Sequence, residues 1–484
     1  MNAFELAASR HDATDVIDPP ALATARRGSA MRAGRRWPVI LFAMLAAAAI
    51  GVAVEESKGP QPVAVVPASD AIRKPSELPA ATSVAVPSDA IDGAKLVQPW
   101  QLLARDARQS SADESGLLEV YGLLANGHAD EALARARRLA TERPAFGLGQ
   151  LAYADLLNVQ ARHGRVALGA DPTEFSGPAR ERLADLTAEA RARIQGAVFA
   201  PPPGTVPEPF VVLDPQVRHA IAVDVSRSRV YVIENDAQGP RLLRQYYASI
   251  GKLGTLKQTE GDQRTPLGVY FVTREVPTAH RDERYGSRAL VLNYPNPYDR
   301  LEGRSGDSIW LHGVPANLYT RAPRATDGCV ALPNPQMEEL AQFIAPQGTP
   351  VVVAEHLDWA LPGTLRARQG DFMAVFERWR VARDAAQPEA LHAFYSTALN
   401  VPEVPSMGAP WRASLEEEQR HHTNAEPPRP ISGLSVVRWK DQRELMIVTF
   451  AEKAETSTDP SRTRRQYWMK EDGGWRIFYE RLLG

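Results

Sequence analysis

The chain has 484 residues, more than one average domain holds, so several domains are expected. A hydrophobic content of 44% and a charged content of 24% are those of an ordinary globular protein, and a formal charge of −2 argues against nucleic acid as the main partner. The single cysteine, Cys329, excludes an internal disulfide.

In chain order, residues 1–36 form a basic segment with Arg26, Arg27, Arg32, Arg35 and Arg36 near its end. The run 37–54 carries no charge, and Glu55 and Glu56 follow it. A membrane-spanning helix needs ~17–25 apolar residues, so this run lies at the short end of that range. Basic residues before it and acidic ones after it put the N-terminus in the cytoplasm and the rest outside. The expectation is an uncleaved inner-membrane anchor with the later domains in the periplasm. A cleaved signal peptide and a buried helix are the alternatives. Residues 55–112 are rich in Pro, Ala, Val and Ser. Pro60, Pro62, Pro67, Pro75, Pro79 and Pro87 favour extended chain, and the segment reads as a tether.

Residues 113–200 read as a small helical domain. Leu117, Val120, Tyr121 and Leu124 recur at helical spacing, and Asn126-Gly127-His128 interrupts them. A second helix runs from Glu131 to Glu142 ahead of Pro144, and Leu148, Leu151, Ala152 and Leu156 mark a third. The hairpin resembles a tetratricopeptide-type (TPR-like) unit, although too few units are visible for a self-supporting solenoid. A spacer and a module for a protein partner are both open. Pro201-Pro202-Pro203 and Pro207 mark a boundary.

Residues 208–356 switch to strand periodicity. The β-branched runs 220–225 and 229–233 are joined by Ser226-Arg227-Ser228, a hairpin signal. Short strands are expected at 246–250, 269–273, 289–292, 308–311 and 350–354, with one helix at 335–344. The result is a compact, mainly-β domain.

Residues 368–484 form an α+β unit. Phe372, Val375, Phe376 and Trp379 share a helical face, and a second helix is expected at 390–399. Strands follow at 432–439, 444–451, 464–470 and 475–482, the last two joined by the turn Glu471-Asp472-Gly473-Gly474. This order resembles the NTF2-like (SnoaL-like) cone, a fold that hosts both enzymes and binding modules. Trp379, Trp411, Trp439, Trp468 and Trp475 read as core or as pocket lining. His421-His422 lacks a third ligand at a suitable spacing, so no metal is predicted. No cofactor is predicted either.

The chemistry concentrates at Thr326-Asp327-Gly328-Cys329-Val330, downstream of His312-Gly313. A lone cysteine is most often an inert small hydrophobe. Paired with a histidine elsewhere in the chain, it has the form of a nucleophile and its base. An imidazole can take the thiol proton and leave a thiolate. Attack on a carbonyl then creates an oxyanion that needs donors, and the amides of Gly328 and Cys329 are candidates. Gly313 lets its carbonyl bend toward the imidazole and fix one tautomer.

His-Gly, a loop, then Ser/Thr-x-Gly-Cys-Val resembles the YkuD domain of L,D-transpeptidases. Thr265-Pro266-Leu267-Gly268-Val269-Tyr270, the opening hairpin and Ile309-Trp310-Leu311 before His312 are similar to that family's other signatures. The resemblance covers roughly residues 208–355. It implies a β-sandwich-like catalytic domain acting on peptidoglycan stem peptides through a thioester. Cys329 is then the nucleophile, His312 the base, Gly313 the orienting carbonyl, and Gly328 with Cys329 the oxyanion hole. Amine acceptors make the enzyme a transpeptidase; water makes it a carboxypeptidase, and a non-catalytic wall-binding scaffold is the third reading. Thr326, Asp327, Arg324 and Tyr285 are the expected substrate-binding residues. Two departures stand out. Asp327 replaces a frequent His; it raises the thiol pKa, pairs with His312 or binds a substrate amine. Ala331 replaces a frequent Arg or Asn, and Arg321 or Arg324 is the candidate substitute. Tyr285, Tyr294 and Tyr298 are expected in a lid over the substrate channel.

Overall fold

The computed structural model describes residues 110–161, 176–277, 282–368, 370–385, 388–396, 429–453 and 462–483. The expected anchor at 37–54, nearly all of the tether, Trp411 and His421-His422 lie outside the described residues. Among the described residues no helix is long and apolar enough to cross a membrane.

Four helices come first: α1 (Ala112–Ala125), α2 (Ala129–Glu142), α3 (Gly147–Ala161) and α4 (Gly177–Val198). Ser111 caps α1 by accepting from the Glu114 N–H at 3.3 Å. Leu117, Val120, Ala136, Leu139, Leu148 and Leu156 bury one shared core, as their spacing predicts. The fourth helix shows no apolar period along the chain because its inward face is charged. Arg193 on α4 bonds Glu189 at 2.8 Å and Glu114 on α1 at 3.1 Å. Arg229 from the first β-hairpin reaches the same Glu114 at 2.5 Å. All members of this cluster are buried. Burial pushes Glu114 up, but the guanidinium groups of Arg229 and Arg193 outweigh it and hold the carboxyl below its usual range. A Cβ on Gly196 would sit 2.2 Å from Arg229 Nε, so α4 admits that arginine only through a glycine. The helices are therefore docked on the β-domain by a buried ionic cluster.

Next come β1 (Val206–Pro207), β2 (Phe210–Val212), β3 (His219–Asp224), β4 (Arg229–Asp236), β5 (Gly239–Tyr247), β6 (Ile250–Gly251), β7 (Gly268–Glu275), β8 (Ala289–Leu292), α5 (Pro297–Leu301), β9 (Trp310–His312), β10 (Arg324–Thr326), β11 (Val330–Ala331), α6 (Asn334–Gln342), β12 (Pro350–Ala354) and β13 (Trp359–Ala360). Eight of these strands form one mixed sheet in the order β11-β9-β8-β7-β12-β3-β4-β5. The strands on the two sides of β7 curl toward each other around one inner core, in keeping with the expected mainly-β, β-sandwich-like domain. Ser249, just past edge strand β5, exchanges both backbone hydrogen bonds with Ala331 on the opposite edge, at 2.8 and 2.9 Å. Alternation along the strands divides the side chains. Ile221, Val223, Val230, Val232, Val351 and Val353 face inward with Met337 and Leu340 of α6. Ala220, Ala222, Tyr231, Ile233, Phe271 and Val352 face outward and are buried as well.

The C-terminal unit covers that outward face. It comprises α7 (Pro362–Arg368), α8 (Gly370–Asp384), α9 (Pro388–His392) and the meander β14 (Ile431–Lys440), β15 (Glu444–Glu452), β16 (Arg462–Glu471) and β17 (Gly474–Leu483). One face of the meander packs on Phe372, Phe376 and Trp379 of α8, with Trp468 and Trp475 in the same cluster. The other face sets Val437, Trp439, Ile447, Tyr467 and Met469 against the eight-stranded sheet. The described tryptophans of this unit are core residues. Strand β2, which precedes the eight-stranded sheet in sequence, pairs with β14 as the fifth strand. At the final turn Asp472 and Gly473 have φ of 47° and 79°, the left-handed pair that a two-residue hairpin requires.

Candidate active site

Strands β9 and β11 run parallel, with Leu311 opposite Val330 and His312 opposite Ala331. Leu311 and Val330 point into the inner core. Alternation therefore turns Trp310 and His312, and next to them Cys329 and Ala331, to the other side. The Trp310 N–H donates to Cys329 Sγ at 3.4 Å, and the thiol donates to the Ser308 carbonyl at 3.4 Å. The imidazole at the end of β9 and the sulfur one residue ahead of β11 thus share a face. Among the described residues no hydrogen bond joins them directly. The Tyr285 ring packs on both strand residues, 4.6 Å from Trp310 and 5.0 Å from His312, edge-on to the latter at 84°. Cys329 keeps part of its surface open, whereas His312 is 2% exposed.

His312 Nδ1 lies 2.5 Å from the Gly313 carbonyl. A carbonyl only accepts, so Nδ1 carries the proton and Nε2 presents the lone pair. Burial pushes His312 down to about 4; the Gly313 bond opposes this and the Arg321 charge adds to it. Burial pushes the Cys329 thiol up to about 11, and Asp327 adds to it. The Trp310 N–H, Arg321 and Lys257 pull the other way. At neutral pH the pair is an uncharged thiol beside an uncharged imidazole.

The glycines have separate reasons. Gly328 has φ +127°, and a Cβ there would meet the Arg264 carbonyl at 2.6 Å. Its N–H donates to Thr326 Oγ1 at 3.2 Å, and Thr326 Oγ1 donates to the Cys329 carbonyl at 2.6 Å. Thr326 is 2% exposed. Its hydroxyl bonds the loop that carries Cys329, and no substrate contact is observed for it. The Gly328 amide is engaged by that hydroxyl, so of the two expected oxyanion donors the Cys329 N–H is the one carried forward. At Gly313 a Cβ would lie 2.1 Å from Asn334 Oδ1. That oxygen accepts from Ser287 N–H at 3.1 Å and Val314 N–H at 3.0 Å, while Asn334 Nδ2 donates to the Val314 carbonyl at 2.8 Å. Asn334 therefore ties the Tyr285 segment to the histidine segment.

Asp327 is exposed and pairs with Lys252 at 3.0 Å and Gln263 at 3.1 Å, not with His312. The Lys252 ammonium beside it holds the carboxyl below its usual range. Arg324 lies exposed on β10, whereas half-buried Arg321 donates to the Arg284 carbonyl at 3.0 Å and is the arginine whose charge acts on Cys329 and His312. Of the three lid tyrosines only Tyr285 lies at the site. Tyr294 and Tyr298 are 5% and 2% exposed and belong to the cores on the two sides of the sheet. Sequence reasoning missed Asn334, Trp310 as a thiol partner, and Tyr319. Tyr319 sits in the loop between His312 and Cys329, donates to Asp113 of α1 and packs on Phe146 at 4.8 Å. Its aromatic character inside that loop was the available signal. Among the described residues no cluster of three metal-ligating side chains occurs.

Residues 218–353 match the family described as YkuD, the L,D-transpeptidase catalytic domain. The Escherichia coli K12 protein named "Putative L,D-transpeptidase YafK" is 34% identical over 94 residues, which cover 19% of this chain and 33% of that protein. The chain thus spans about a third of the length of the curated relatives it matches. Among solved structures, Bd1075 of Bdellovibrio bacteriovorus is 23% identical with a TM-score of 0.47, covering 57% of this chain and 98% of that one. The helical cell shape determining protein Pgp2 from Campylobacter jejuni is 20% identical with a TM-score of 0.43, covering 54% of this chain and 91% of that one. Likeness at that level carries no argument about function.

Proposed function

We propose that the YkuD catalytic domain at residues 218–353 makes this chain a cysteine-dependent L,D-transpeptidase acting on peptidoglycan tetrapeptide stems. Cys329 Sγ bonds to the carbonyl carbon of the third stem residue as its proton passes to His312 Nε2. The Cys329 N–H receives the oxyanion. Collapse breaks the C–N bond to the terminal residue, and the imidazolium gives its proton to the departing amine. A thioester remains. An acceptor amine adds to it, His312 takes the amine proton, and the C–S bond breaks to release the new amide and return the thiol.

The observation that carries this reading is the strand register that sets Cys329 and His312 on one face, with the imidazole tautomer held by the Gly313 carbonyl. Arg321 is the cation available for a substrate carboxylate, since Ala331 supplies none. A periplasmic location rests only on the arginines before and the glutamates after the apolar run 37–54. The test is incubation of the purified chain with disaccharide tetrapeptides. Crosslinked dimers that disappear with Cys329→Ala are expected. Free tripeptide alone would make the enzyme a hydrolase, and no turnover would overturn the reading.

A further inference from the structure

Outside the active site, a cavity of about 50 Å³ lies between the catalytic sheet and the C-terminal sheet. Phe271, Asn293 and Gln347 line it on the catalytic side, and Arg465, Tyr467 and Arg481 on the other. Arg465 is 3% exposed. Its Nε donates to Thr449 Oγ1 at 3.0 Å, one terminal nitrogen donates to the Gln347 carbonyl at 2.5 Å, and its Cζ stacks 3.2 Å from the Phe271 ring centroid. These contacts satisfy donors, yet they bring no negative charge. Among the described residues no carboxylate pairs with Arg465 or with Arg481. The charged group that acts on Arg465 is another cation. The register sets Arg481 directly across from it on β17, and like charges in that relation repel. Burial and the Arg481 charge pull the Arg465 guanidinium down to about 10, weighed against Tyr467. Arg300, on the neighbouring helix α5, also lies within reach of the Arg481 charge, and its buried Nε has no hydrogen-bond partner.

A guanidinium taken out of water without a counter-charge is costly, and proteins keep such groups where an anion offsets the cost. The other buried arginines among the described residues obey that rule: Arg193, Arg229, Arg383 and Arg464 each meet a glutamate, and Arg304 meets Asp299 and Asp441. Arg465 is the departure. A cavity of this size holds about three to four waters, or one planar or tetrahedral oxyanion group. The polar groups at its wall are donors of the right kind. Asn293 Oδ1 already accepts from the Phe271 N–H at 2.8 Å and its side chain bonds the Tyr467 hydroxyl, whose own proton is left to donate.

We infer that this cavity is a binding site for a small oxyanion, a single carboxylate or phosphate group, clamped between Arg465 and Arg481. The guanidinium forks suit such a group geometrically as well as by charge. Bound there, the anion joins β16 and β17 to β7 and the segment after β8, and so fastens the C-terminal unit to the back of the catalytic sheet. None of the residues lining the cavity belongs to the Cys329–His312 site, and binding there does not depend on its chemistry.

The experiment is calorimetric titration of the purified full chain with inorganic phosphate and, in a separate arm, with acetate, chloride holding the ionic strength constant. Thermal melts on the same samples follow the stability. Phosphate and acetate both stabilise proteins generally through exclusion from the surface, without saturation. A site instead saturates. The wild type and Cys329→Ala are expected to bind at least one of the two anions saturably. Arg481→Gln weakens that binding at least tenfold, and Arg481→Lys retains more of it than Arg481→Gln. Arg481 is half-buried, so these variants keep the fold, and the melt of the anion-free variant checks this. The arm that saturates identifies carboxylate or phosphate as the ligand class. No saturable binding in either arm, or equal binding by the wild type and Arg481→Gln, overturns the inference.

Discussion

Substituting Gly313→Ala isolates what Asn334 does for the site. The added Cβ falls 2.1 Å from Asn334 Oδ1, closer than any real contact, and 3.0 Å from the Ser287 nitrogen. The side-chain amide must leave, and with it go its bonds to Ser287 N–H, Val314 N–H and the Val314 carbonyl. At about 1 kcal/mol net per hydrogen bond the loss is ~3 kcal/mol. Asn334→Ala removes the same bonds and costs a similar ~3 kcal/mol. The double variant makes room for the Cβ and has no amide left to displace. Its cost is therefore ~3 kcal/mol plus a few tenths for the Ser287 contact, not ~6. Urea unfolding of the four proteins reads the cycle. Turnover reads the consequence for His312, whose Nδ1 is held by the same Gly313, and a displacement of that carbonyl is expected to lower kcat about a hundredfold. A coupling energy within about 0.5 kcal/mol of zero would refute the reasoning, because the two changes would then act through different contacts.

Other consequences are independent of that cluster. His312 falls from 6.5 to about 4 on folding, so the unfolded chain binds its proton first as pH drops. Stability from this group is present above pH ~6.5 and lost toward pH ~4, and the 2.5 units between those values amount to about 3 kcal/mol. His312→Gln should flatten that part of the stability–pH curve; an unchanged slope would rule out a buried neutral imidazole. Tyr319→Ala removes the hydrogen bond to Asp113 and the packing on Phe146 that hold the His312–Cys329 loop to the helices. It should lower kcat more than it changes KM, with Tyr319→Phe in between, and wild-type kcat in the alanine variant would sink this role. Ending the chain after residue 360 uncovers Tyr231, Ile233, Phe271 and Val352 on the back of the catalytic sheet. Aggregation on gel filtration is the expected outcome; a monomeric, cooperatively folding fragment would show that the C-terminal sheet is dispensable.

The parts of the fold that were legible share one property: their signal is local. Strands β3, β4, β8 and β12 follow from β-branched alternation, and the expected ranges at 289–292 and 350–354 coincide with the observed ones. The histidine and cysteine were legible because each is bracketed by a glycine with a steric reason to be there. Helix α4 was not, since Glu189 and Arg193 occupy buried positions and erase the apolar period. Tyr294 and Tyr298 sit in a Pro/Asn-rich stretch that reads as surface, yet the sheet and the C-terminal unit close over them. Asp327 finds Lys252, and Asn334 finds Ser287, across long loops that no spacing rule connects. The run Ala220-Ile221-Ala222-Val223 did hold a clue to the docked C-terminal sheet: an unbroken apolar strand implies cover on both faces.

The protonation states constrain how such a site can react. With the thiol pushed up to about 11 and the imidazole down to about 4, the resting pair does not hold a thiolate–imidazolium charge separation. Arg321 favours the thiolate but opposes the imidazolium, so it shifts the two groups without making the ion pair easier to form. Asp327, although paired with Lys252, still raises the thiol, and its charge acts on Cys329 ahead of the opposing charge of Arg321. Proton transfer is therefore expected to accompany C–S bond formation, when the negative charge moves from sulfur to the carbonyl oxygen and meets the amide at Cys329. A resting thiol of this kind is slow toward adventitious alkylation and oxidation, which depend on thiolate. The substrate brings the electrophile, and with it the reason for the proton to move.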